Sequence, residues 1–354
     1  MAREEQIMIN RRAILAAMGA ALLVSTALSA HAQNLPGNVR MVIGSTSTGG
    51  DTYQNASIVA EALAAHLGIN IKVDPVGTSE GLKALDRDSR GTTVMLHHDQ
   101  IYLSYLYGVP GNDDPFANYV VGPTVAINPG DSFLVPADSP YQTMDDILTA
   151  AANGTQIRVA IQPGGVSEIG FTAMRNAAKV RSPGSEKNIV AVNTGSQADK
   201  NQAMWDDLAD VINGSIQANE QFTQLPADDP KAMRFVWITA RPATLDQAPE
   251  AGMGATTRAD FLQYASPVTS VTLDGTEDFS FDKEFFLLYN KDMDPALMDA
   301  IDTALGEIYA AGDIQKRQAE AFFIPNFQPR AQALEHLSAK SERIGGIIED
   351  LQSE

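Results

Sequence analysis

Three stretches of this chain gather small hydroxyl residues and glycines at points where an apolar strand pattern gives way to a helical one. The first is Ser45-Thr46-Ser47-Thr48-Gly49-Gly50, followed directly by Asp51. The second is Pro163-Gly164-Gly165-Val166-Ser167, followed by Glu168, and the third is Thr194-Gly195-Ser196. Each puts backbone N–H groups and hydroxyls at a helix N-terminus, where the first N–H groups lack intrahelical acceptors and the dipole favours an anion. None of the three contains Lys, Arg or His. A phosphate site usually recruits a cation, and neither the P-loop nor the dinucleotide fingerprint is present. A carboxylate can be held by amides and hydroxyls alone. Charge-assisted hydrogen bonds contribute roughly 1.5–3 kcal/mol each, and a few of them, less the cost of association, reach about −8 kcal/mol. One such loop is weak evidence, because tight turns use glycine for backbone reasons. Three, at the C-terminal ends of parallel strands, stand where open α/β sheets bind ligands.

Asp51 and Glu168 can serve as caps or dipole partners. The sharper alternative is that one of them meets an amine, a hydroxyl or a protonated carboxyl of the ligand, so that Asp51→Asn changes ligand preference. Tyr53, His97, His98 and Glu168 are candidates for lining the cleft. His97 and His98, with Asp99 beside them, invite a periplasmic hydrolase or lyase. Adjacent residues on a strand point to opposite faces, however, and do not easily serve one metal. No G-x-S-x-G and no H-E-x-x-H is present. We therefore expect no catalytic residue, no metal and no cofactor. The acidic pairs Asp113-Asp114 and Asp228-Asp229 lack calcium-loop spacing and read as solvated turns. His66 stands where a helix C-terminus would favour it, and Trp205 and Trp237 read as core residues.

The elements that must position these loops alternate. Val39, Met41, Val42 and Ile43 form an apolar strand, and Val59, Leu63 and Leu67 recur at helical spacing before a stop at Gly68. Further strands are expected at 69–73, 93–96, 119–125, 132–135, 157–161, 189–192, 234–239 and 285–289. Helices are expected at 143–152, 167–179, 198–208 (with Met204 and Leu208 on its apolar face), 295–310 and 330–351. Such alternation predicts an α/β protein with parallel sheets and helical crossovers. No solenoid repeat is visible.

Of the 354 residues, 1–32 read as a signal peptide: Arg11-Arg12, an apolar run, and Ala30-His31-Ala32 as the cleavage site. The paired arginines fit either the Sec or the twin-arginine route. There is no cysteine, which excludes disulfides and a lipid-bearing cysteine, so a freely soluble periplasmic protein is expected. No later segment is long and apolar enough to span a bilayer. Cleavage removes three of the 25 Lys+Arg and two of the 44 Asp+Glu, leaving a net charge near −20. That balance speaks against nucleic acid or an anionic membrane as partner, and it means any anion site must be built locally, from dipoles and amides. The ~320 remaining residues suffice for two domains.

Over nearly all of the mature chain these residues resemble the periplasmic solute receptors of tripartite tricarboxylate transporters, the Bug-type receptors. Thr48-Gly49-Gly50-Asp51-Thr52-Tyr53 and Ala60-Glu61-Ala62-Leu63 are similar to that family's glycine-rich first loop and helix end. Pro75-Val76-Gly77-Thr78-Ser79-Glu80-Gly81 is a looser match to its next turn, and Ser139-Pro140-Tyr141-Gln142-Thr143-Met144-Asp145-Asp146 resembles the opening of its second domain. Pro163-Gly164-Gly165-Val166-Ser167 matches its second ligand loop. Gly195-Ser196 with Ala209-Asp210-Val211, and 235–239 with Ala248-Pro249-Glu250-Ala251-Gly252, follow in order. Departures are Tyr53 where the family has Asp, Gly170 where a His is common, and about twenty extra residues near 258–280.

The resemblance implies a two-lobed, Venus-flytrap, type II-like periplasmic-binding-protein fold, with a cleft between two α/β domains joined by crossing strands. It implies lobe one at 35–135 plus 283–354 and lobe two at 136–282, with the inserted segment near 256–282. The expected function is capture of a small carboxylate and its delivery to the membrane permease subunits of a tripartite transporter, by a monomer without chemistry of its own. The expected ligand residues are Ser45, Thr46, Ser47, Thr48, Gly49, Gly50 and Asp51 from lobe one. From lobe two they are Gly164, Gly165, Val166, Ser167, Thr194, Gly195 and Ser196. Gly49-Gly50-Asp51-Thr52-Tyr53 also fits the first loop of a TRAP receptor of the TAXI type. A ligand sensor docking on a signalling partner is the remaining alternative.

Overall fold

A computed structural model describes residues 35–272 and 275–352; the expected signal peptide lies outside the described residues. The chain order is β1 (Asn38–Ile43), α1 (Asp51–Leu67), β2 (Asn70–Pro75), α2 (Thr78–Asp86), β3 (Thr93–His98), α3 (Gln100–Leu106), α4 (Pro115–Asn118) and β4 (Tyr119–Asn128). It continues with β5 (Asp131–Pro136), α5 (Met144–Ala152), β6 (Ile157–Ile161), α6 (Val166–Arg181), β7 (Ile189–Asn193), α7 (Gln197–Trp205), β8 (Val211–Ser215) and α8 (Ile216–Thr223). The last part holds β9 (Met233–Ile238), α9 (Pro242–Gln247), α10 (Arg258–Leu262), β10 (Lys283–Asn290), α11 (Pro295–Ala311), α12 (Asp313–Glu320), β11 (Ile324–Gln328) and α13 (Arg330–Gln352). No helix among the described residues is long and apolar enough to cross a membrane.

The strands form two sheets, ordered β11-β4-β10-β3-β1-β2 and β7-β6-β8-β5-β9. Both are covered by helices on both faces, and strict alternation assigns each side chain to its face. In β10, Phe285, Leu287 and Tyr289 pack beneath α1 and α11, while Phe286 and Leu288 pack against α2, α3 and α13. In the second sheet Phe133, Val135, Val159 and Ile161 meet α5 and α6, whereas Leu134, Ala160 and Ile212 meet α7, α8 and α10. Burying a Phe or Leu side chain from water stabilises by about 1.5–3 kcal/mol, so each continuous apolar strand is a strong local determinant of its lobe.

The sheets are mixed, not parallel as the alternation suggested. β1, β2 and β3 pair in parallel, as do β6, β7 and β8, but β10 runs antiparallel to β3 and β4, and β5 runs antiparallel to β8 and β9. The reversed strands β5 and β10 are the ones that enter from the other lobe. Only Pro129 and Gly130 separate β4 of the first sheet from β5 of the second. β5, which our expected division left in lobe one, thus hydrogen-bonds into the second sheet. The return crossing runs beside it, since Lys283 opposes Asn128 and the Phe281 N–H donates to the Thr239 carbonyl at 2.8 Å.

Smaller expectations fall out plainly. Gly68 ends α1 in the left-handed region, its N–H bonding the Ala64 carbonyl at 3.0 Å. Trp237 is fully buried and stacks on Phe133 at 4.9 Å, while Trp205 packs edge-on to Phe222 at 5.3 Å. The helix expected at 198–208 stops at Trp205, and Leu208 is left exposed after Asp207 turns to φ 55°. His66 is in the last turn of α1, but its ring nitrogen faces Glu307 of α11 at 2.9 Å. Asp114 caps α4 and Asp229 accepts from the Lys231 N–H at 2.8 Å, so both acidic pairs belong to turns. The extra segment is packed: Phe261, Ala265 and Val271 are fully buried.

Candidate functional site

Strand β1 delivers the first loop. Gly44 follows it because a Cβ there would fall 2.1 Å from the His97 imidazole. The hydroxyls of the loop partly fold it onto itself: Ser45 Oγ accepts from the Ser47 N–H at 3.1 Å and Ser47 Oγ from the Gly49 N–H at 3.2 Å. In the second loop the Gly164 N–H donates to Glu168 and the Gly165 N–H to the Gln162 carbonyl. In the third, Thr194 donates through both N–H and hydroxyl to the Ile161 carbonyl, at 2.8 and 2.9 Å.

Between the sheets lies a cavity of about 350 Å³. From the expected set it is lined by Ser45, Thr46, Ser47, Gly50, Asp51, Val166, Ser167, Gly195, Ser196 and His98. Thr48, Gly49, Gly164, Gly165, Thr194, Tyr53, His97 and Glu168 are not among its lining residues. Thr48 and Gly49 are exposed, Tyr53 packs on the core under α1, the amides of Gly164 and Gly165 are spent on their own loop, and that of Thr194 on the Ile161 carbonyl at the end of β6. Glu168 holds the turn of its loop. His97 is buried against Gly44, 3.0 Å from the Thr78 hydroxyl. Five helices begin at the wall: α1 at Gly50-Asp51, α2 at Gly77-Thr78, α6 at Val166-Ser167, α7 at Ser196-Gln197 and α8 at Ser215-Ile216. Their dipoles together favour an anion.

The wall also carries charges that the loop residues do not announce. Lys283, the first residue of β10, lies 2.8 Å from Asp51, the first residue of α1. Burial works against the Asp51 carboxylate, but the Lys283 ammonium, with hydrogen bonds from Asn128 and the Thr52 N–H, outweighs it and holds its pKa low. Asp51 is therefore a buried ion-pair partner, not an acid open to a ligand amine. Lys200, on α7, is 6% exposed, and among the described residues its ammonium makes one long hydrogen bond, to Asn213 Oδ1 at 3.4 Å. Burial lowers its pKa to about 8, against the pull of Asp131. Asp131 lines the cavity too, pushed up by burial and opposed by Lys283. His97 falls to about 3 and His98 well below its ordinary value, by burial and then Lys283, so both rings are neutral.

Contacts cross from lobe to lobe over the cavity. The Ser104 hydroxyl donates to the Gly164 carbonyl at 3.0 Å, and the Tyr107 and Thr172 hydroxyls are 3.2 Å apart. Gly164, at φ 70°, must be glycine twice over, because a Cβ would also fall 2.6 Å from Val109 and 3.0 Å from the Ser104 Cα.

No protein-family model and no curated protein sequence matches the chain. Solved structures do. The periplasmic binding protein BugD superposes with a TM-score of 0.67 at 15% identity, covering 89% of this chain and 97% of that one. MatC (Rpa3494) from Rhodopseudomonas palustris, with bound malate, gives 0.66 at 13% identity, over 88% and 98% of the two chains. Rpa4515 of R. palustris, with adipate, gives 0.69 at 13% identity, over 89% and 97%. The chain has the two-lobed fold of the Bug-type periplasmic binding proteins.

Within that binding-protein fold, polar lining residues that were not expected to hold the ligand include Thr78, Ser79, Gln100, Ser104, Asn112, Asp131, Gln162, Gln197, Lys200, Asn213, Ser215 and Lys283. A usable signal existed for two of them. Lys283 and Asp131 are charged residues that open strands with apolar centres, KEFFLLYN and DSFLVP, where the chain passes between lobes. Lys200 lies one turn into α7, a position open to any surface lysine, and nothing local marks it.

Proposed function

We propose that this protein is a periplasmic solute-binding receptor that captures a small carboxylate between its lobes and delivers it to the membrane permease subunits of a tripartite tricarboxylate-type transporter. Lys200 carries the reading. It is a buried ammonium without a carboxylate partner among the described residues, in a cavity where five helices begin. A buried unpaired charge is costly, and a bound carboxylate offsets that cost. The malate in MatC and the adipate in Rpa4515 support the same ligand class.

In this account Lys200, the hydroxyls of Ser45, Thr46, Ser47 and Ser167, and the helix-initial amides at Gly50, Gly195 and Ser196 hold carboxylate oxygens. The lobes, exchanging at residues 129–130 and 281–283, close over the ligand and bury it. The protein acts as a monomer, reaches the periplasm by way of its cleaved 1–32 segment, and changes no bond of its cargo.

Thermal-shift screening against mono-, di- and tricarboxylates tests this. A ligand at 100 times its dissociation constant stabilises the folded state by about 2.7 kcal/mol, a readily measured shift. Lys200→Met removes the shift. If no carboxylate stabilises the wild-type protein, or if a hit is turned over, the receptor assignment is wrong.

A further inference from the structure

The cavity holds a carboxylate as well as an ammonium without a partner. Asp131 opens β5 at the crossing between lobes, is 4% exposed and lines the cavity. Its backbone is fixed, the carbonyl accepting from both the Thr239 N–H at 2.9 Å and the Thr239 hydroxyl at 3.2 Å. Of its side chain, Oδ2 has no hydrogen-bond partner among the described residues. Among the described residues no ion pair joins it to either cavity lysine. Lys283 is committed to Asp51 at 2.8 Å, and Lys200 Nζ donates to Asn213 Oδ1 at 3.4 Å. Asn213 Nδ2, in the same wall, also lacks a partner.

With Lys283 and Asp51 in direct contact, the cavity keeps Lys200 and Asp131, which attract each other through space but form no ion pair among the described residues. An unsubstituted carboxylate satisfies the first and leaves the second buried and bare. A second ligand carboxylate placed against Asp131 would meet a like charge. An O–H or N–H of the ligand would instead give Asp131 the donor it lacks, while the adjoining carboxylate takes Lys200. Among the described residues Lys283 and Lys200 favour the Asp131 carboxylate only through space, and its Oδ2 receives no hydrogen bond.

Resting on the receptor reading above, we propose that Asp131 determines specificity by accepting a hydrogen bond from the ligand, so that the solute is a carboxylate bearing a hydroxyl or an ammonium group. The two sources of donor share one chemistry at Asp131 and differ in charge.

The test is calorimetric titration of the protein with matched short-chain mono- and dicarboxylates that carry CH2, CHOH or CHNH3+ beside one carboxylate. Within the set that binds, the substituted member binds at least about tenfold tighter than the plain one, since a buried hydrogen bond to a charged group separates them. The tighter of the two substituted members names the donor. In Asp131→Asn that ratio collapses towards one, while the plain member still binds and so shows that the variant is folded. Equal binding of the plain acid by the wild type overturns the proposal and leaves the receptor reading standing. So does an unchanged ratio in the variant, or plain acids that bind tighter as pH falls, which would make Asp131 a protonated donor. If no member of any set binds the wild type, the receptor reading falls and this inference with it. The wild-type ratio decides the matter should the variant fail to fold.

Discussion

The Lys283 ammonium stands 2.8 Å from the Asp51 carboxylate, tying the strand that returns from lobe two to the first residue of the helix that opens at the cavity. The pair is buried on both sides, 9% and 10% of the side chains remaining exposed, and Asn128 completes it at 2.7 Å. Breaking one side of such a pair leaves the other charge bare. Asp51→Asn is therefore expected to lower unfolding stability by about 3–5 kcal/mol. It also frees Lys283, so plain dicarboxylates bind the variant more tightly. Denaturant unfolding and calorimetry check both; unchanged stability would mean that Asp51 merely complements the dipole of α1.

Lys200 sets a pH dependence of binding. Its folded pKa is depressed to about 8. Below that pH it is charged and available to a carboxylate, so affinity is flat. As pH rises through about 8 it loses its proton and affinity weakens. Stability without ligand moves the other way. The unfolded lysine holds its proton up to its ordinary value, so between pH 8 and about 10.5 the unfolded state binds more protons and this group's contribution rises by about 3 kcal/mol. Calorimetry of the wild type across pH checks the first effect, and unfolding of the wild type against Lys200→Met across the same range checks the second.

Gly164 lies where the two lobes touch. A methyl group there would strike Val109 and the Ser104 backbone across the cleft. Gly164→Ala is expected to weaken binding by about one to two orders of magnitude by preventing the lobes from meeting, with strain at a positive φ added. Small-angle scattering at saturating ligand should give a larger radius of gyration than the wild type; an unchanged radius would place the defect in the loop alone.

A control belongs away from the cavity. The Thr143 hydroxyl accepts from the Asp146 N–H at 3.2 Å while Asp146 accepts from the Thr143 N–H at 2.9 Å, a complete capping box for α5. Thr143→Ala should cost about 1 kcal/mol of stability. Hydrogen exchange across Met144–Ala152 should quicken while ligand affinity is unchanged.

What was legible beforehand is instructive in its particulars. The stop at Gly68, the core position of Trp237 and the run through β10 follow from spacing and residue type. β8, VINGS, passed unnoticed because Asn213, Gly214 and Ser215 interrupt its apolar pattern, and α8 and α9 are too short to declare a period. The antiparallel sense of β5 and β10 could not be read, since a strand's pattern records burial and not direction.

By itself the sequence determined the two α/β layers and the places where donor-rich loops open helices. Those depend on alternation, glycine and capping, all of which act over a few neighbouring residues. Only the tertiary structure decided which loop amides remain unspent, and that Lys200, Lys283, Asp51 and Asp131 share one buried space. Their pairing is a matter of distance and desolvation between elements far apart in the chain, and charge at that separation leaves no periodic trace in the order of residues.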